Sequence, residues 1–446
     1  MPQAQSLPTA YPSGANTRWP YLKLYLLAGV VMVVADLMGA VTFNVGPGKV
    51  VLLPMVWAIL MATALGLLHR RLPGPLSLDT GLQFRAAAIL QPALLLFVAK
   101  LGLMVGGSLP KLAAAGWALA FQELGHFVGT IIIGLPLALL LGIKREAIGA
   151  TFSVGREPSL AIIGERYGMD SPEGRGVLAE YLTGTVFGAV FLAVFAGFIA
   201  SLNLFDPLAL AMGSGVGSGS MMAAAAGAIA AQQTPEMAKD VMTFAAASNL
   251  ITTTVGTYFT LFISLPLAVW GYKVLEPILG RTTKATVHAG DVTAQDPGAS
   301  VPALSLLQKW GAWGAAAALT ILSDWILYGS KPVDTLPGML IMLFAVGVGD
   351  FLAKVTGRKI PAVCWVSLIA MALTSPLCPW GAQIIAITGK INFLAVTPAM
   401  LTFAGLSLAK DIPAFRRLGW RIVVVSFAAN AGTFLGATVI AQFFRH

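Results

Sequence analysis

Polar positions in this chain are few and clustered, and between them run apolar stretches of about 20 residues, the length of helix that crosses a hydrocarbon core. Tyr21–Thr42, Val50–Leu68 and Trp420–Phe443 are three such stretches, and more lie between them. They are apolar on all sides, whereas the strands of a membrane barrel alternate apolar and polar residues over about 10 positions. In lipid the backbone must satisfy its own N–H and C=O groups, which leaves helices. The pattern predicts an all-α membrane protein with about 10–12 membrane segments.

Composition strengthens that reading. Of 446 residues, 57% are hydrophobic and 11% are charged, where a soluble protein carries roughly a quarter charged residues. The net charge of +9 does not point to nucleic acid, because the basic residues sit at the ends of apolar runs, where they set topology. Arg18 and Lys23, Arg70 and Arg71, Lys144 and Arg145, Arg281 and Lys284, Arg358 and Lys359, and Arg416 and Arg417 form such clusters. Placing them all in the cytoplasm puts the N-terminus inside and His446 outside a multi-pass protein of the cell inner membrane. The lipid bilayer is thus one expected partner. Residues 1–19 read as a cytoplasmic tail, without the apolar core of a signal peptide. Residues 280–305 read as a polar cytoplasmic linker. Cys364 and Cys378 fit no metal-ligand pattern, and no disulfide is expected.

An internal repeat organises the rest. Gly102-Leu103, Pro110, Gly116-Trp117 and Gly129-Thr130 recur as Gly405-Leu406, Pro413, Gly419-Trp420 and Gly432-Thr433, at a constant shift of 303 residues. The loop of the first copy holds only Lys111, and that of the second holds Lys410, Arg416 and Arg417. Opposite charge bias predicts opposite polarity, an inverted repeat. The expected organisation is scaffold-like helices over 20–145, a central binding region over 146–279, and an inverted second scaffold copy over 306–446. The outer repeat precedes the broken segment in the first half and follows it in the second.

Two central segments break the apolar pattern. Gly149–Gly168 carries Ser153, Gly155, Arg156, Glu157, Pro158 and Ser159 in its middle, and Pro158 is expected to end one half-helix and begin another. Pro207–Gln232 carries four glycines and three serines in the eight positions Gly213–Ser220, and each glycine costs a helix about 1 kcal/mol against alanine. Ser171-Pro172-Glu173 and Thr234-Pro235-Glu236 follow the two segments. Irregular backbone at membrane depth survives where it is buried in protein or lines a wet cavity, and paired breaks mark a transporter's binding site. Half-helix N-termini suit an anion, and Arg156 suits a carboxylate. Ser153, Gly155, Arg156, Glu157, Ser159, Ser214, Gly217, Ser218 and Ser220 are the candidate substrate-binding residues. The bland alternative is close helix packing through small residues. The breaks are either re-entrant hairpins or full crossings, with hairpins matching the opposite polarity of the outer repeat.

Charges inside apolar runs are costly and so mark function. Lys100, Glu123, His126, Glu180, Asp240 and Asp350 qualify, Asp240 and Asp350 reading as helix-end residues. Glu123 and His126 share a helical face and suit a proton relay; a paired structural couple is the alternative. Glu180 lies within reach of Arg156, and Asn249, Thr252 and Thr253 offer oxygens to a cation or substrate. Glu123, His126, Glu180, Asn249, Thr252 and Thr253 are therefore the candidate ion-coupling residues, for H⁺ or Na⁺. No cofactor, metal or catalytic residue is expected. Gly347-Val348-Gly349-Asp350 and Pro92-Ala93-Leu94 match motifs of intramembrane aspartyl proteases in the wrong order, without the Tyr-Asp pair. Gly217-Ser218-Gly219 lacks a convincing base, and Glu123-x-x-His126 lacks the second pair a di-metal site needs.

The stretch Gly155–Phe191 resembles a segment of LrgB/CidB-type membrane proteins, in which a serine/threonine-proline run leads into an apolar helix, a polar turn and a glycine-containing helix. It departs from that pattern at Arg156-Glu157. Over its length the chain looks more like a bacterial integral-membrane family catalogued as a domain of unknown function. The resemblance implies an inverted-repeat carrier moving a small organic anion by an elevator-like motion. The expectation is a secondary active transporter of a small anionic organic metabolite, with a homodimer as a compatible assembly; an uncoupled channel or exporter is the alternative.

Overall fold

The computed structural model describes residues 18–446, apart from 47, 70, 115, 169–170, 255, 281–303, 358–361, 411, 413–418 and 446. The N-terminal tail up to residue 17, most of the linker, and Arg416 and Arg417 therefore lie outside the described residues. What is described is helical, with one exception. Val41–Val45 and Gly48–Leu52 form an antiparallel hairpin, β1 and β2, with Val41 opposite Leu52. The expected first two spans run into it, because its β-branched residues flank a turn with Gly46 at φ +56°.

Seven described helical stretches are long and apolar enough to cross a membrane, the longest being Pro172–Ser201 with 30 residues. That is fewer than the expected segments because several helices are short: α2 (Pro54–Leu67), α11 (Gly219–Ala230) and α17 (Ala362–Thr374) have 14, 12 and 13 residues.

Two long helices set the frame. Helix α3 (Thr80–Gly107) is started by the Asp79 carboxylate, which accepts from the Leu82 N–H at 2.7 Å. It ends at Ser108, and after the short α4 (Leu109–Ala114) helix α5 (Trp117–Leu140) returns to the opposite face beside Lys144. These ends name the Ser108 face and the Lys144 face. Helix α20 (Trp420–Arg445) crosses α5 in close antiparallel contact. A Cβ at Gly125 or Gly129 would fall on the carbonyl of Gly436 or Gly432, so only glycine permits this approach. Phe121 stacks on Phe444 at 4.7 Å, which places the end of α20 on the Ser108 face.

Two broken segments pack on this crossing. The first is α6 (Glu146–Thr151) and α7 (Arg156–Tyr167), followed by α8 (Pro172–Thr183). Arg145 Nε donates to Glu173 at 2.8 Å and Arg175 to Glu146 at 3.0 Å, so both ends of the segment lie on the Lys144 face. The second is α10 (Pro207–Ser214) and α11, followed by α12 (Pro235–Thr254). The Asp206 N–H donates to Gln442 Oε1 at 2.9 Å, and Lys111 pairs with Asp240 in the first turns of α12. Both ends of this segment therefore lie on the Ser108 face. The segments are re-entrant hairpins from opposite faces. Their tips abut the same crossing: Thr151 lies against Gly134 of α5, where α5 meets Ala429 of α20, and Gly213 lies against Phe434 and Thr438.

Beyond each hairpin the helices include one wide π turn. Helix α8 passes through a π turn at Gly184–Gly188 into α9 (Ala189–Ser201). Beyond α12, α13 (Gly256–Phe259) passes through a π turn at Thr260–Ser264 into α14 (Leu265–Leu279). The remaining helices are α1 (Arg18–Met38), α15 (Leu306–Tyr328), α16 (Pro332–Val355), α18 (Gly381–Thr388) and α19 (Phe393–Leu408), which pack with α2, α3 and α17. Ser305 and Gln308 form a capping box that starts α15.

Candidate functional site

The tip of the second hairpin is the four-residue break Gly215–Ser218, buried but for Ser218. Gly217 takes φ +74°, a conformation that favours glycine. Ser218 then caps α11, its Oγ accepting from the Met221 N–H at 3.3 Å and lying 2.9 Å from Ser220 Oγ. A broken helix leaves carbonyls without partners, and α12 supplies them. Ser248 Oγ donates to Met212 O at 2.7 Å, and Asn249 Nδ2 to Gly215 O at 2.8 Å and Gly217 O at 3.5 Å. Ser214 donates to Ala211 O of its own helix, at 2.7 Å.

At the tip of the first hairpin the break spans Phe152–Gly155, ahead of Pro158 rather than at it. Pro158 sits in the first turn of α7, where a missing N–H breaks no helical bond. The Phe152 carbonyl accepts from Ser264 Oγ, in the π turn that leads into α14. Ser153 Oγ accepts from the Gly155 N–H at 3.0 Å. Ser159 is 1% exposed, and among the described residues its Oγ has no partner. Arg156 and Glu157 open α7 at the tip, and their side chains lie outside the described residues. Both α7 and α11 begin at a tip, so two sets of helix-start N–H groups converge on the middle of the protein.

The coupling candidates divide. Glu123 and His126 of α5 are each 1% exposed, with Glu123 Oε1 3.4 Å from His126 Nδ1. Thr252 of α12 donates to Glu123 Oε2 at 2.7 Å, and Gln122 Nε2 lies at 3.3 Å. Asn249 and Thr252 are three apart on α12, so one helix face joins the second tip to the Glu123–His126 pair. Thr253 is exposed and donates to Asn249 O at 2.8 Å. Glu180 is buried on α8, and the side chain of Arg156, its expected partner, lies outside the described residues. Asp240 pairs with Lys111, and Asp350 with Lys309 at 3.0 Å and Lys354 at 2.8 Å near the end of α16.

Sequence reasoning missed Ser248 and Ser264, because a serine inside a helix carries no signal until its partner is known. It also passed over Asp36 and Asp324, at 3% and 0% exposure. Both are acids inside apolar runs, the same signal that marks Glu123. A third break, between α18 and α19, turns the chain by 63°; its signal was Gly389-Lys390-Ile391-Asn392 within apolar surroundings.

These features define a helical membrane-type protein with two opposed re-entrant hairpins. The model of the family described as "Protein of unknown function (DUF3100)" matches residues 33–274, more than half of the chain, and the chain belongs to that family. The match takes in both hairpins. No curated protein and no solved structure matches the chain.

Proposed function

We propose that the protein is a secondary active transporter of a small anionic organic metabolite, driven by an H⁺ or Na⁺ gradient. The observation that carries this reading is the meeting of two hairpin tips, from opposite faces, at one crossing in the middle of the protein. Such an arrangement makes a site reachable from either face by moving one body past another, as in an elevator. In this reading the halves form an inverted repeat: α5 answers to α20, and each hairpin to the other. The elements support it, since α6–α8 and α10–α12 begin at a common shift of about 63 residues, Arg156 to Gly219 and Pro172 to Pro235.

The helix starts at the tips, the Ser159 hydroxyl and Arg156 receive the anion. Asn249, Thr252, Glu123 and His126 carry the coupling, because they link a tip to a buried titratable pair. The cargo passes unchanged. The test is counterflow in proteoliposomes with radiolabelled small carboxylates, with and without pH or Na⁺ gradients. Saturable uptake accelerated by unlabelled substrate inside is the expected result. Flux that neither saturates nor shows counterflow supports the uncoupled channel instead.

A further inference from the structure

Away from the tips, a cavity of about 450 Å³ opens between α3, the α11–α12 turn, α15 and the α18–α19 break, a size that fits small-molecule ligands. Its polar lining is cationic. Lys100 of α3 reaches it from within a long apolar helix and is 4% exposed. Lys239, in the first turns of α12, adds a second charge at the rim. Among the described residues, no aspartate or glutamate lines the cavity.

Lys100 Nζ donates to Thr388 O at 2.8 Å, the last carbonyl of α18, and no ion pair joins it to a carboxylate among the described residues. Asp324 lies close enough for its charge to act on Lys100. Its Oδ1, however, accepts from the Asn392 N–H at 3.2 Å, and it stays out of the lining. A buried ammonium without a paired anion is costly, and a bound anion removes that cost. The rest of the wall sets the anion's shape. Tyr328, Asn392 and Thr243 offer polar atoms, while Met104, Met242 and Phe393 offer apolar surface.

We infer that this cavity is a second binding site, for an organic carboxylate with an apolar body, held by Lys100 and Lys239. The binding argument is independent of the hairpin tips. Only its role, as an antechamber on the Ser108 face beside the end of the second hairpin, rests on the transport reading.

The test measures binding to the purified full-length protein in detergent, by ligand-dependent thermal stability, so no flux is required. The probes are hexanoate and benzoate, their neutral amides, and inorganic phosphate. Both carboxylates are expected to raise the melting midpoint in a saturable way, and the amides are not. Lys100→Met weakens carboxylate binding by roughly 10- to 100-fold, the loss of a buried charge-assisted contact. Lys239→Gln weakens it less, because that lysine stands at the rim. Ala238→Trp, which fills the cavity from its rim, abolishes it. Should Lys100→Met not fold, Lys239→Gln and Ala238→Trp decide. Wild-type affinity in both, or amides that bind as well as acids, overturns the site. Phosphate matching the carboxylates overturns the apolar component of the claim. Binding that follows these variants while proteoliposomes show no flux supports the site and removes the transport reading.

Discussion

The two hairpins share a plan and differ in chemistry. The first is charged: Arg156-Glu157 opens its return helix, and Arg145–Glu173 and Arg175–Glu146 pin its base. The second has no charged residue between Pro207 and Ala230 and is built of Gly, Ser, Ala and a few larger apolar residues. Its carbonyls are held by Ser248 and Asn249 of α12, and α12 is tied through Thr252 to Glu123. Among the described residues, the first tip is held by the Ser264 hydroxyl, and the Ser159 Oγ has no partner. In the proposed transport reading the difference divides the labour: the first hairpin would present groups to an anion, and the second would report its position to the buried Glu123–His126 pair.

The largest effect is expected where both hairpins depend on one feature. Gly129→Leu drives a side chain into the Gly432 backbone, at a cost of about 3 kcal/mol or more. Size-exclusion profiles of detergent extracts should show little monodisperse protein, and a normal profile would break the common frame of the comparison. Next, Asn249→Ala leaves the second tip's carbonyls unpaired and should destabilise by about 1–3 kcal/mol, read as a lower melting midpoint. An unchanged midpoint would mean that α12 does not hold that tip.

Glu123→Gln keeps an acceptor for Thr252 and should stay within about 1 kcal/mol of wild-type stability. Its effect is on coupling: uptake should become indifferent to the pH or Na⁺ gradient, and retained dependence would move coupling elsewhere. The smallest stability effect belongs to Ser159→Ala, within about 0.5 kcal/mol, since the hydroxyl has no partner among the described residues to lose. Substrate affinity in counterflow should nonetheless fall roughly 2- to 10-fold, the loss of one hydrogen bond. If affinity is unchanged, the first tip does not hold the anion.

The break at Gly213–Ser220 was legible because four glycines and three serines in eight positions are poor material for a continuous helix. The first break was legible in place but not in register. Proline reads as a helix end, although the first turn tolerates it, and the chain opens at Phe152–Gly155 instead. The outer glycines, Gly129 and Gly432, stood out as a repeat, yet their contact with each other emerges only from packing. Whether each segment crosses or returns was not legible, because reversal is set by distant contacts such as Arg175–Glu146 and Asp206–Gln442. The cavity was half-legible: Lys100 stood out as a charge in an apolar helix, while Thr388 and Asn392 are brought to it by the bend between α18 and α19, and Tyr328 by the end of α15.

The central claim is that both broken segments are hairpins entering from opposite faces. Single cysteines at Asn203 and Gln233, which flank the second hairpin, and at Arg145 and Ser171, which flank the first, test it directly. They would be introduced after replacing Cys364 and Cys378 and probed with a membrane-impermeant maleimide in oriented vesicles. The account predicts that Asn203 and Gln233 label from one side, and Arg145 and Ser171 from the other. Labelling of Asn203 and Gln233 from opposite sides would make the second segment a full crossing and contradict the shared central site.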